Sequence, residues 1–174
     1  MKSTYRILIV IVALMPWLAF ARLGDTPESL AQRMGVAGSE TTAGVKPALA
    51  NSRTFVFQKD GINLVVTFWN GKSCEEIYKK SDGGEFSDAE IQTMLKNNNF
   101  GVDDWVSDYT KGVQVSGIKH WAWGEKSDGT ASGLTPPILQ AYYARGQFSV
   151  FTTKYRQASD AADKGAAQKK IQRF

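Results

Sequence analysis

The chain has 174 residues, 43% of them apolar and 22% charged, with a formal net charge of +4. That composition excludes a collagen-like repeat, a wholly disordered chain and a large multidomain enzyme. A domain of this size buries enough apolar surface to fold without disulfide staples.

Lys2 and Arg6 precede an apolar stretch, Ile7–Met15; Pro16 interrupts it, and Trp17-Leu18-Ala19-Phe20-Ala21 follows. A basic start, an apolar middle and a small-x-small ending form the pattern of a secretory signal, cleaved before Arg22. Ile7–Ala21 contains a proline and falls short of the ~20 apolar residues that a spanning helix needs. Residues 1–21 are therefore expected to be a signal peptide and the mature chain to be exported, periplasmic or secreted, with no stable membrane anchor.

Gly24-Asp25-Thr26-Pro27-Glu28 opens a helix: Asp25 or Thr26 caps it, Pro27 suits its first turn, and Glu28 lies at its positive end. Leu30 and Met34 fall on one face and Gly35 stops it. The stretch 35–52 has three glycines beside alanine, threonine and Pro47, and reads as a mobile connector. An antiparallel meander follows: Thr54–Lys59, Ile62–Trp69 and Lys72–Lys80, turned at Asp60-Gly61 and Asn70-Gly71. These dipeptides are strong hairpin signals because type I′ turns need positive φ. The first turn pairs Phe57 with Leu64 and Phe55 with Val66, which puts them with Phe68 on a buried face and Val56, Val65, Thr67 and Trp69 on the other. The same arithmetic carried into the third strand assigns Ile77 and Glu75 to the core side and Cys74 and Tyr78 to the opposite side. A glutamate on a core face signals a bulge or a strand end near Cys74.

Ser87-Asp88-Ala89-Glu90 is a capping box, with Phe86 placed to staple onto Ile91 and an apolar stripe at Ile91, Met94 and Leu95. Trp105 lies in a short extended piece, Val102–Tyr109. In Ile118–Glu125, His120 and Ala122 alternate with Lys119, Trp121 and Trp123; Lys126–Pro137 is a long loop. Ile138–Arg145 and Gln147–Tyr155 form a hairpin around Arg145-Gly146. The tail 156–174 is rich in alanine and lysine, and is either a surface helix capped by Ser159 or disordered. It holds five basic and two acidic residues, so the body 22–155 is close to neutral. A nucleic-acid-binding fold carries its basic, aromatic-laced face on the body; nucleic acid is not an expected partner.

The expected class is α+β: two tandem helix–antiparallel-hairpin units, about 24–80 and 86–155, sharing a sheet covered on one face by short helices. The segment Gly24–Leu30 with the strands Thr54–Lys59 and Ile62–Trp69 behind it, and Ser87–Leu95 with the hairpin Ile138–Tyr155, resemble two kinds of exported bacterial domain. These are the beta-lactamase inhibitory protein fold, with two such units, and the small outer-membrane-assembly lipoproteins of the SmpA/OmlA type, with one. The resemblance implies this topology and a protein-binding habit, and transfers no functional residue. The inhibitor's paired disulfides are impossible with Cys74 as the sole cysteine, and a lipid-bearing cysteine at the cleavage point is absent.

Catalytic chemistry finds little support in the residue patterns. Cys74 alone makes neither an intrachain disulfide nor a multi-cysteine zinc site, and it is a buried hydrophobe or an intermolecular partner. His120 is the sole histidine. Glu75-Glu76 and Asp103-Asp104 are adjacent pairs, and adjacent strand residues point to opposite faces. No catalytic residue, metal site or cofactor is therefore assigned. Aromatic residues crowd the second half, and Trp and Tyr supply rigid area with a polar tip at contact surfaces. Trp69, Tyr78, Trp121, Trp123 and Tyr143 are the candidate partner-binding residues. The expected role is that of a non-enzymatic binding or accessory protein engaging a protein partner through the sheet face or the Lys126–Pro137 loop. The alternatives are a carbohydrate-binding module stacking sugars on Trp121 and Trp123, and an enzyme with a scattered site including His120.

Overall fold

A computed structural model of the chain describes residues 22–42, 49–98, 105–107, 118–123 and 138–171. The signal segment 1–21, the Lys126–Pro137 loop and most of Val102–Tyr109 lie outside the described residues. In chain order the elements are α1 (Pro27–Met34), β1 (Ser39–Thr41), β2 (Ser52–Lys59), β3 (Ile62–Trp69), β4 (Lys72–Lys80), α2 (Asp88–Asn97), β5 (Val106–Ser107), β6 (Ile118–Trp123), β7 (Leu139–Ala144), β8 (Gln147–Thr152) and α3 (Thr153–Ile171). The class is α+β, with one sheet in the order β1-β2-β3-β4-β8-β7-β6-β5 and every neighbouring pair antiparallel. Two runs of four strands thus meet at the β4–β8 pair, each run following one of the helices α1 and α2.

Local chemistry accounts for the element boundaries. The turns Asp60-Gly61, Asn70-Gly71 and Arg145-Gly146 all have positive φ at both residues, the geometry that matches the right-handed twist of the strands they join. Thr26 caps α1 and Ser87 caps α2, each through a reciprocal capping box, the partners being Ser29 and Glu90. The backbone N–H and hydroxyl of Ser87, with Lys80, hold the Glu90 carboxyl down at about 2.

The inner face of the sheet is set by cross-strand register. Phe57 pairs with Leu64, Leu64 with Tyr78, Tyr78 with Phe148, and Phe148 with Tyr143. Leu30 and Met34 of α1 and Ile91, Met94 and Leu95 of α2 pack on this face, closing one core together with Leu23, Val66, Phe68 and Val150.

Three expectations need correction. Between Thr67 and Phe68 the β3–β4 register shifts, so that Phe68 opposes Ser73 and Thr67 opposes Glu75, with Cys74 the extra residue. One inserted residue exchanges the faces of everything beyond it. Tyr78 and Glu76 therefore face the core, and Glu75 and Ile77 the other side, the reverse of the unbulged arithmetic. The connector 35–52 is not a plain loop, because Ser39–Thr41 forms an edge strand on β2. Finally, β8 stops at Thr152 and the chain turns directly into α3, so Ser159 lies inside a running helix rather than at its start.

A candidate cleft on the outer face

The outer face carries Val56, Val65, Thr67, Trp69, Glu75, Ile77, Gln140, Tyr142, Ser149 and Phe151, by the same register. The side chains of α1 and α2 pack into the core on the other side, and α3 packs against β8. Its first turn sets the Tyr155 ring against Trp69, with centroids 6.2 Å apart. Burial pushes the Tyr155 phenol up to about 12, and the Glu75 carboxylate adds to the effect.

Between this face and the first two turns of α3 lies a cleft of about 690 Å³. The sheet supplies its floor, where Glu75, Gln147 and Ser149 lie among Ile77, Tyr142 and Phe151, and Arg156, Gln157 and Asp160 line the α3 side. The polar groups are held in place by one another. Gln140 Nε2 donates to Thr153 Oγ1 at 3.0 Å, the Tyr142 hydroxyl donates to Gln140 Oε1 at 3.1 Å, and Gln147 Nε2 donates to Ser149 Oγ at 2.9 Å. Arg156 and Asp160 pair along the helix at 3.5 Å.

Aromatic rings stand side by side along the floor. His120 stacks on Tyr142 with centroids 4.2 Å apart and planes within 12°, and Tyr142 stacks on Phe151 at 5.5 Å and 13°. The guanidinium of Arg156 lies 5.5 Å over the Phe151 ring. Tyr142, on β7, thus lies between the His120 ring from β6 and the Phe151 ring from β8, and Phe151 itself is buried. Among the described residues no group of three or more His, Cys, Asp and Glu side chains converges to hold a metal ion. Nor is any described helix long and apolar enough to cross a membrane.

The five residues picked from the aromatic pattern divide between the faces. Tyr78, Trp121 and Tyr143 are buried, at 1%, 7% and 7% exposure. Tyr78 and Trp121 converge on Phe148 at 5.8 and 6.5 Å, while the Tyr143 hydroxyl accepts from the backbone N–H of Phe86. Trp123 is half-buried against the same core. A ring packed beneath α1 and α2 is not available to a sugar or a partner, which corrects the expectation for Tyr78, Trp121 and Tyr143. Trp69 alone of the five lies on the outer face, half-buried under Tyr155. The cleft's own residues went unnoticed in the sequence, although Gln140 and Tyr142 on β7 and Gln147, Ser149 and Phe151 on β8 alternate with core residues and so mark an outer face.

Cys74 is buried at the bulge, its thiol donating to the Thr67 carbonyl at 3.1 Å. Burial, with Glu75 beside it, raises its ionisation well above the ordinary thiol range. It has the environment of an inert structural cysteine rather than a nucleophile.

No protein-family model matches the chain, and no curated protein matches it. Among solved structures, the chain is similar to a cysteine-rich secretory protein from Staphylococcus aureus subsp. aureus Mu50, at 11% identity and a TM-score of 0.35. The match covers 76% of this chain and 45% of that one, so this chain spans less than half of that protein's length.

Proposed function

We propose that this is an exported, non-enzymatic binding protein that seats a segment of a protein partner in the outer-face cleft. The observation that carries the reading is the cleft's make-up: aromatic and aliphatic side chains interleaved with carboxamide, hydroxyl and oppositely charged groups. Carboxamides and hydroxyls both donate and accept, which suits the alternating N–H and C=O groups of a peptide backbone. The floor favours a peptide over a sugar. Sugar stacking needs a free aromatic face, whereas Tyr142 is flanked by the His120 and Phe151 rings and Phe151 is buried. Export rests on the segment 1–21, whose pattern is that of a cleaved signal, and N-terminal sequencing of the protein recovered after export is expected to begin at Arg22.

Ser149→Arg tests the site by filling the cleft with a bulky cation from the sheet side. A photo-crosslinking residue in place of Gln157 identifies the partner by mass spectrometry. The affinity of the purified partner for the Ser149→Arg protein is then expected to fall at least tenfold, with unchanged circular dichroism. Equal affinity for the two proteins would move the binding site away from the cleft.

A further inference from the structure

The core face contains a carboxyl group where a strand facing two helices ordinarily carries an aliphatic side chain. Glu76 is fully buried. Its Oε2 accepts from the Tyr78 hydroxyl at 2.6 Å, while Oε1 has no hydrogen-bond partner. The Asn98 side chain, at the end of α2, lies near the carboxyl and favours its charged form. On the other side stands Arg33 of α1, ion-paired with Asp25 and electrostatically coupled to Glu76, with its Nε buried and without a hydrogen-bond partner. Arg33 and Glu76 make no direct ion pair, so one guanidinium stands between two carboxyl groups and is committed to Asp25.

Both ends of this cluster are wired to the first residues of the folded body. Asn98 Oδ1 accepts from the backbone N–H of Leu23 at 3.1 Å. Asp25 and its neighbours are bound to Ser73 on β4. Gly24 N–H donates to the Ser73 carbonyl at 2.9 Å, Ser73 N–H donates to the Asp25 carbonyl at 2.8 Å, and Asp25 N–H donates to Ser73 Oγ at 3.1 Å. Ser73 Oγ in turn donates to the Arg22 carbonyl at 3.1 Å. Arg22–Asp25, which leads into α1, is thus latched to the sheet by Ser73 and Asn98, and Asp25 shares Arg33 electrostatically with the buried Glu76 carboxyl.

We propose that Glu76, Arg33 and Asp25 form a proton-sensitive clasp that holds α1 and the Arg22–Asp25 segment on the sheet. With Glu76 protonated, its carboxyl is a neutral partner for Tyr78, and Arg33 stays with Asp25. When the proton leaves for solvent, a buried carboxylate competes with Asp25 for Arg33, and an open clasp in which water reaches Glu76 becomes more accessible. The charged and titratable groups facing Glu76 are few. Arg33, Asp25 and Arg22 lie on the α1 side and Tyr78 and Cys74 on its own strand; α2 contributes only the amide of Asn98, and the cross-strand neighbours Val66 and Val150 contribute none. Burial pushes the Glu76 carboxyl up to about 7, so the change falls near neutrality.

Amide hydrogen exchange on the purified protein tests the clasp. The opening constants for the amides of Leu23, Gly24 and Ser73, corrected for base catalysis of exchange itself, are expected to rise roughly fiftyfold from pH 5 to pH 8 and to level off above neutrality. They should also exceed those of Ala141 and Tyr143 on β7, and in Glu76→Gln the pH dependence should vanish. Should Glu76→Gln fail to fold, Tyr78→Phe serves instead, because losing the hydroxyl that favours the carboxylate moves the midpoint upward. The carboxyl carbon shift of Glu76 in the unaltered protein reports the titration directly. Opening constants without pH dependence, a Glu76 midpoint in the ordinary carboxylate range, or clasp amides that open only together with Ala141 and Tyr143 would each overturn the proposal.

Discussion

Trp121 and Glu76 show how much hangs on which way one side chain faces. The indole of Trp121 is packed against Phe148, and Trp121→Ala is expected to remove about 3–5 kcal/mol of stability, read as a lowered urea midpoint. A surface tryptophan would cost far less, so this substitution checks the placement of β6 directly. Glu76 makes a different prediction, one of pH. Its carboxyl is raised from an ordinary 4.5 to about 7 by burial, so the folded state binds the proton more tightly than the unfolded state. The resulting stability is complete below about pH 4.5 and is lost as pH rises through about 7, by on the order of 3 kcal/mol. Below that window the slope reverses, because Glu90 is held at about 2 in the fold and its contribution disappears as it protonates. Urea titrations from pH 3 to pH 8 are expected to show maximal stability on the acid side of neutrality, and Glu76→Gln to flatten the limb between pH 5 and pH 7.

At the scale of elements, most of what builds this sheet was readable. The dipeptides Asp60-Gly61 and Asn70-Gly71 place two turns, and with them the pairs Phe57–Leu64 and Phe55–Val66, because a two-residue loop leaves one register. The Ser87–Glu90 box placed α2, and Ser87→Ala is expected to cost about 1 kcal/mol, seen in the thermal midpoint. What local pattern did not resolve was the sense of the third strand. Glu75 and Glu76 are adjacent, and one of them had to face inward; the bulge at Cys74 decided in favour of Glu76. A bulge is the choice of a strand pair, made when packing on the far side is better with one residue looped out. Glu75 on the expected core side signalled a bulge or a strand end near Cys74; that it is a bulge, and so which face the rest of the strand takes, is decided by the pairing with β3. The short strand Ser39–Thr41 was hidden for a similar reason: exposed and polar, it is held by pairing with β2 rather than by its own propensity. The bidentate Arg53–Glu40 pair, at 2.8 and 2.7 Å, reinforces it across the edge.

For the molecule as a whole, the informative feature is the junction at the middle of the sheet. Strands β4 and β8 are some seventy residues apart in sequence and pair from Glu75–Phe151 to Lys79–Gln147. That pairing places Tyr78 beside Phe148 and makes one core of two four-strand runs. It also brings Glu75 and Ile77 next to Ser149 and Phe151, so the outer-face cleft exists only because of it. Helix α3 contributes its first two turns to that cleft, while residues 161–166 have no buried side chain. Ending the chain after Asp160 is therefore expected to leave the thermal midpoint within about 2 °C, with partner affinity retained. A larger loss of stability would mean that the distal half of α3 has a packing role.

Hairpin turns, helix caps and the alternation of β2 and β3 were legible because each depends on residues within a few positions of one another. They follow from positive φ at Gly and Asn, from a hydroxyl reaching an unpaired N–H, and from the two-residue period of a strand. The aromatic residues of the second half were legible as rigid apolar mass but not as core or surface. Trp121 takes its side from β7, β7 from β8, and β8 from β4, whose inner face was itself set by one extra residue at Cys74. The orientation of a side chain on a late strand is thus inherited along a chain of pairings, and any bulge on the way inverts it. The cleft and the Glu76 clasp share that dependence: both are made of residues distant in sequence, which only the register of the assembled sheet brings together.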